Sequence, residues 1–297
     1  MTTKHNPFKG FGVALATPFA PDGSVDVEAL RKLVLTTLEG GADFLCVLGT
    51  TAETPTLNAE ERELVKKTVR EVVADRVPLL LGCGGNCTQS VGEALLDPTT
   101  TEGFAGVLIV APYYNKPSQE GLYRHYAAVA SSTKLPVVIY NVPGRTGVNI
   151  DPKTVVRLAN DYENIVAVKE ASGRTVQTQD IVREAPEGFD VISGDDGITP
   201  QLIAIGAVGV ISVLGNALPR EYGEMLHAAL RNDFPTVRKI HEQLGQFYRL
   251  MMVDGNPAGV KSLLHLQGRI QNVLRLPLVP ASEATETALR EALGKLC

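Results

Sequence analysis

The sequence predicts an α/β fold, a (β/α)8 TIM barrel followed by a C-terminal helical extension, and three observations predict it. Eight short apolar runs recur about 28 residues apart, each followed by a stretch with helical periodicity. The runs are nearly continuous in apolar residues, as strands of a parallel sheet covered on both faces should be. From about Pro219 the strand signals stop and only helical periodicity remains. The expected organisation is a barrel over residues 1–230 and a helical domain over 231–297.

The strand candidates, in order, are Val13–Ala16, Phe44–Leu48, Leu79–Leu81, Val107–Val110, Val137–Tyr140, Val166–Val168, Val191–Ser193 and Val210–Val213. The first ends in Ala16-Thr17-Pro18. A doubly wound open sheet, the competing fold, would carry a Gly-rich phosphate turn there. Asp26 is placed to cap a helix starting at Val27, and Gly40-Gly41 to stop it. Asn58 caps the next helix, with Glu60 and Glu61 in its first turn where the helix dipole favours them. The tail reads as helices near Glu221–Leu230, Pro235–Met252, Pro257–Leu266 and Ser282–Leu296, with Leu276–Pro280 as a linker.

Lys and Arg number 28 against 33 Asp and Glu, a net charge of −5 with no long run of like charge. Nucleic acid and anionic membrane both need a basic footprint, so neither is an expected partner. No apolar stretch approaches the roughly 20 residues that span a bilayer. Four cysteines, Cys46, Cys83, Cys87 and Cys297, are too few for a disulfide framework in a chain of 297 residues, and Met1–His5 has no apolar signal core. A reduced, cytoplasmic protein is expected. Cys83 and Cys87 are four apart, but no second Cys or His pair stands at zinc-ligand spacing, and they read as small residues near a Gly-rich turn. The five histidines form no HExxH pattern, and the absence of Trp argues against a stacking box for bases or sugars.

In such a barrel the reactive groups lie at the C-terminal ends of the strands and in the loops just beyond them. The second strand is followed by Gly49-Thr50-Thr51-Ala52-Glu53-Thr54, a turn offering hydroxyls and backbone N–H groups to a carboxylate. Pro112-Tyr113-Tyr114 follows the fourth, Tyr140-Asn141-Val142-Pro143-Gly144-Arg145 ends the fifth, and Ser193-Gly194-Asp195-Asp196-Gly197 ends the seventh. Lys169 closes the apolar run Ile165–Val168 and would enter the barrel mouth with its stem in hydrocarbon. Desolvation favours the neutral amine of a lysine, the form that attacks a carbonyl. The other reading is a strand-end lysine that snorkels to solvent or pairs with Glu170.

Tyr140 ends the neighbouring strand, where a phenol can shuttle protons and Thr50 can hand them on; alternatively it is a core tyrosine with a satisfied hydroxyl. Arg145, after a Pro-Gly turn, is either a two-pronged carboxylate grip or a surface arginine. Asp195 and Asp196 read as a magnesium site or as caps of the seventh loop. An amine, a proton relay and two carboxylate-binding elements around one mouth match Schiff-base chemistry on a 2-keto acid.

At these residues the sequence resembles a known family. Gly49-Thr50-Thr51-Ala52-Glu53, Tyr140-Asn141-Val142-Pro143-Gly144-Arg145-Thr146-Gly147, Lys169-Glu170-Ala171-Ser172-Gly173 and Ser193-Gly194-Asp195-Asp196 are similar to the motifs of the dihydrodipicolinate synthase family, within the N-acetylneuraminate lyase superfamily of Schiff-base aldolases. The likeness runs from Gly12–Phe19 through the barrel into the tail. It implies that Lys169 forms an imine with pyruvate, that Tyr140 donates and accepts protons, and that Thr50 and Tyr114 complete the relay. Tyr114 would reach into a neighbouring subunit. Thr51, Gly194 and the backbone at Ile211 would hold pyruvate, and Arg145 the carboxylate of L-aspartate 4-semialdehyde. No metal or organic cofactor is implied, because the protonated imine is itself the electron sink. A homotetramer, a dimer of dimers, is the implied assembly.

Many members of the family are inhibited by lysine at a cleft between subunits, and the matching positions here include Thr54, Pro55, Ala59, Arg62, Asn86, Ser90 and Tyr113. Asn86 and Tyr113 fit the sensitive pattern. Ser90 stands where a glutamate usually holds the inhibitor's amine, and Arg62 replaces a frequent histidine with a cation that would repel it. Weak or absent feedback is expected. Ala52 replaces a common glycine without touching the hydroxyls. Two other readings stay open at this point: another pyruvate aldolase of the superfamily acting on sialic acid or a keto-deoxy sugar acid, and a keto-acid sensor without turnover.

Overall fold

The computed structural model describes residues 4–296; Met1, Thr2, Thr3 and Cys297, which entered the signal-segment and cysteine readings, lie outside the described residues. Its strands are β1 Gly10–Ala14, β2 Phe44–Val47, β3 Leu79–Gly82, β4 Gly106–Val110, β5 Val137–Asn141, β6 Ile165–Glu170, β7 Asp190–Ser193 and β8 Gly209–Ser212. They form one closed parallel barrel in chain order. Helices α1 Val27–Glu39, α2 Ala59–Val73, α3 Thr88–Leu96, α4 Pro98–Thr101, α5 Gln119–Ser131, α6 Pro143–Thr146 and α7 Pro152–Asp161 follow the earlier strands. Helices α8 Thr175–Glu184, α9 Thr199–Ala204 and α10 Pro219–Leu230 follow the later ones, and the tail is α11 Phe234–Val253, α12 Ala258–Leu266 and α13 Glu283–Leu296.

Each of the eight expected strands is present. The first is displaced most, lying at Gly10–Ala14 instead of Val13–Ala16, and the eighth by one residue, at Gly209–Ser212 instead of Val210–Val213. Two glycines hide its start from an apolar count. Gly12 makes room there, because a Cβ would lie 2.2 to 2.7 Å from ring atoms of Phe44 on β2. The strand stops where a side chain takes over the ladder: Asn216 Oδ1 accepts the Ala16 N–H at 3.0 Å and Asn216 Nδ2 donates to Ala14 O at 2.8 Å.

The helix starts follow their caps. Asp26 accepts the Ala29 N–H at 2.9 Å, and α1 ends at Gly40 with Gly41 at φ 90°. Asn58 and Glu61 form a reciprocal capping box at α2.

The chain divides into two compact units, one built from the segment up to Gly10 with Pro78–Ile211, the other from Phe11–Val77 with the chain from Ser212 onward. In the first, Leu80, Val107, Ile109, Val138, Ile139, Ile165, Val168 and Ile192 on the strands are fully buried, as are Leu122, Val155, Leu158 and Ile181 on the covering helices. In the second, Phe11, Val13, Phe44, Leu45 and Val47 pack with Val34, Val69, Tyr222, Leu226, Leu244, Leu263 and Leu289 in its core. Full burial of each such side chain stabilises by about 1.5–3 kcal/mol before conformational entropy is subtracted. Among the described residues no helix is long and apolar enough to cross a membrane.

Candidate active site

In the first unit, the strand ends bring Lys169 and Tyr140 together. They are register partners on β6 and β5, and the Lys169 Nζ lies 4.3 Å from the centroid of the Tyr140 ring. Both are buried, at 5 % and 7 % exposure, so the amine has an aromatic face and hydrocarbon around it instead of bulk water. Lys169 does not pair with Glu170. That carboxylate takes the Ser172 N–H at 2.8 Å, Asn141 Nδ2 at 3.2 and 3.0 Å, and Gln177 Nε2 at 3.2 Å.

Gly194, one residue past β7, donates its N–H to Glu170 O at 2.8 Å. A Cβ at this position would lie 2.7 Å from Ala171 Cβ and 3.1 Å from Lys169 Cε, so glycine leaves room for the lysine stem. Ile211 is buried on β8, one place beyond the Ser193–Val210 register pair. Arg145 is exposed on the short α6, which Gly147 closes at φ 75° by donating to Pro143 O at 2.9 Å.

The loop after β4 carries Tyr113 and Tyr114, 42 % and 87 % exposed. Tyr114 adopts a left-handed φ of 77°, rare for a bulky side chain, with its N–H donating to Thr146 O at 3.3 Å. Asn86 braces this loop through Tyr113 O at 3.4 Å. Ser90 is exposed on α3, and its hydrogen bond holds the Cys87 thiol below the ordinary range. The seventh loop uses Asp195 as a cap, Oδ1 accepting the Gly197 N–H at 3.0 Å. Among the described residues no group of three or more His, Cys, Asp or Glu stands ready to hold a metal.

In the second unit, Gly49–Thr56 folds as two 3-10 turns, Thr50–Ala52 and Thr54–Thr56, pivoting on Glu53 at φ 55°. Thr50 is partly exposed. Thr51 is buried, and its Oγ1 accepts from Asn256 Nδ2 at 3.0 Å, which leaves its own proton to donate elsewhere. Pro55 is exposed in the second turn. Arg62 is tied to carbonyls, donating to Leu57 O at 3.0 Å and Thr54 O at 3.2 Å.

Sequence reasoning missed what holds this turn. Glu53 forms an ion pair with Lys261 of α12, both side chains at 0 % exposure, and also accepts the Arg275 N–H at 3.0 Å. Lys261 donates further to Val273 O at 3.0 Å and sits 4.1 Å from the centre of the Phe19 ring. Burial lowers the Lys261 ammonium to about 8 despite the opposing pull of Glu53. The Arg275 guanidinium grips Glu61 at 2.7 and 2.5 Å and holds that carboxyl down at about 2. A lysine inside the apolar helix Ala258–Leu266 was the available signal, since a buried ammonium requires a partner.

A family model described as the dihydrodipicolinate synthetase family matches residues 7–296. A relative from Phocaeicola vulgatus, named 4-hydroxy-tetrahydrodipicolinate synthase, is 56 % identical over 288 residues, 97 % of each chain. The solved dihydrodipicolinate synthase of Thermotoga maritima is 41 % identical with a TM-score of 0.95, covering 98 % of this chain and 99 % of that one. The chloride-inhibited dihydrodipicolinate synthase of Acinetobacter baumannii, solved with pyruvate, is 37 % identical with a TM-score of 0.92, covering 97 % and 98 %. The chain belongs to the dihydrodipicolinate synthetase family.

Proposed function

We propose that the chain is a lyase that condenses pyruvate with L-aspartate 4-semialdehyde, in lysine and diaminopimelate biosynthesis, through an imine on Lys169. The observation that carries the reading is the buried Lys169 amine 4.3 Å over the Tyr140 ring, in a chain 56 % identical to a synthase of that name. The amine attacks the keto carbon of pyruvate, the carbinolamine loses water, and the protonated imine acidifies the methyl group, which gives up a proton to the relay as its C–H electrons form the enamine. Enamine carbon then attacks the aldehyde. The amino group of the second substrate displaces Lys169 as the ring closes, which returns the free amine.

Tyr140 moves protons at the carbinolamine and the new alkoxide, with Thr50 and a partner's Tyr114 completing the relay. An 87 % exposed Tyr114 in a left-handed conformation supports that role, since one chain alone gives the ring nothing to pack on. Thr51, Gly194 and Ile211 hold pyruvate, and Arg145 grips the carboxylate of the semialdehyde. The working assembly is a homotetramer and the compartment the cytoplasm.

A coupled assay of pyruvate with L-aspartate 4-semialdehyde, run beside cleavage of sialic acid, tests the assignment. Turnover of the first pair alone is expected; cleavage of sialic acid without condensation would overturn it.

A further inference from the structure

Simple counting along the strands does not set Lys169 opposite Tyr140. Val137 pairs with Ile165, yet the next residue, Val138, pairs with Ala167, so β6 has advanced one residue against β5. Without that advance Val168 would face Tyr140, and Lys169 would face Asn141. Successive side chains on a strand point to opposite faces, so Lys169 would then lie on the face away from Tyr140.

The pair that follows holds the shifted register. Asn141 and Glu170 are partners in the ladder, 0 % and 1 % exposed, and Asn141 Nδ2 donates to both oxygens of the carboxylate. The other donors to Glu170 are the Ser172 N–H and Gln177 Nε2, so every group around it presents a hydrogen. Asn141 Oδ1 in turn accepts the Ile150 N–H at 3.0 Å, and Asn149 Oδ1 accepts from Asn141 Nδ2 at 3.0 Å and from Gln177 Nε2 at 3.1 Å. These bonds close the base of the loop that carries Arg145. A one-residue slip would part the buried carboxylate from Asn141, its donor on the facing strand.

We propose that Asn141 and Glu170 are positioning residues, whose cross-strand clamp locks the one-residue advance of β6 and so sets the Lys169 amine over the Tyr140 ring. The inference rests on the reading of Lys169 as the imine-forming residue. Glu170→Gln turns an amide N–H toward donors, and Asn141→Asp sets two carboxylates face to face. Combining them restores one donor against one carboxylate with the roles exchanged.

The test measures kcat, KM for pyruvate and the rate of borohydride trapping of pyruvate, with circular dichroism reporting the folded fraction. Each single variant is expected to lose about tenfold or more in both kcat and trapping rate while staying folded, because small misplacements of a reacting group are that costly. KM for pyruvate should move far less, and the double variant should recover most of the loss. Where a single variant does not fold, Gln177→Leu, which removes one donor and leaves the pair, replaces it and should lower kcat by a few fold. Folded variants with the kcat of the parent chain, or a loss matched by the unfolded fraction and unrecovered in the double variant, would overturn the clamp. Failure of the unmodified chain to trap pyruvate would instead overturn the functional reading beneath it.

Discussion

Removing the ammonium of Lys261 isolates the best-buried charge in the second unit. In Lys261→Met the methionine fills much the same volume, but Glu53 keeps only the Arg275 N–H, and Val273 O loses its donor. Both side chains of the pair are at 0 % exposure, so water cannot screen the abandoned carboxylate. Breaking a buried pair from one side costs about 3–5 kcal/mol. For a chain of this size that corresponds to a fall in Tm on the order of 10 °C. The double variant Glu53→Gln with Lys261→Met keeps an acceptor for the Arg275 N–H and removes both charges, so it should return to within about 1–2 kcal/mol of the parent. The chain has no Trp, so far-UV circular dichroism in urea follows the transition. A loss below about 1 kcal/mol in the single variant, or a double variant as weak as the single, would refute the argument.

His125 predicts acid lability. It is 3 % exposed, and burial holds its pKa down at about 4 against an ordinary value of 6.5. The unfolded chain therefore takes up a proton between pH 6.5 and 4 that the folded chain refuses. Stability present above pH 6.5 is lost as pH falls toward 4, by up to about 3 kcal/mol, and His125→Gln should flatten that slope in urea titrations at pH 7 and pH 4.5. Tyr140→Phe should lower kcat by about 10²-fold or more, with pyruvate still trapped on Lys169, and a kcat within twofold of the parent would remove the phenol from the relay. Lysine should inhibit weakly or not at all, given Ser90 and the cationic Arg62; a micromolar inhibition constant would contradict this.

The barrel was legible because its strands are apolar on both faces, and the caps Asp26 and Asn58 marked helix starts to the residue. The start of β1 was not, since Gly10 and Gly12 carry no apolar signal, although Gly12 serves close packing against Phe44. Lys169, Tyr140 and Gly194 were readable from their places at strand ends. The Asn141–Glu170 clamp was harder. It depends on a register shift between β5 and β6, and no local pattern in either strand reports where the ladder slips. Glu53 stood in plain view in the hydroxyl turn, but its partner is 208 residues away, a pairing that only the folded chain reveals.

The Lys169 amine is the group on which the proposed chemistry depends. Incubation with pyruvate and borohydride, followed by peptide mass spectrometry, should find one reduced pyruvate adduct, on the peptide containing Lys169, and none in Lys169→Ala. An unlabelled Lys169 peptide, or an adduct on another lysine that persists in Lys169→Ala, would contradict it.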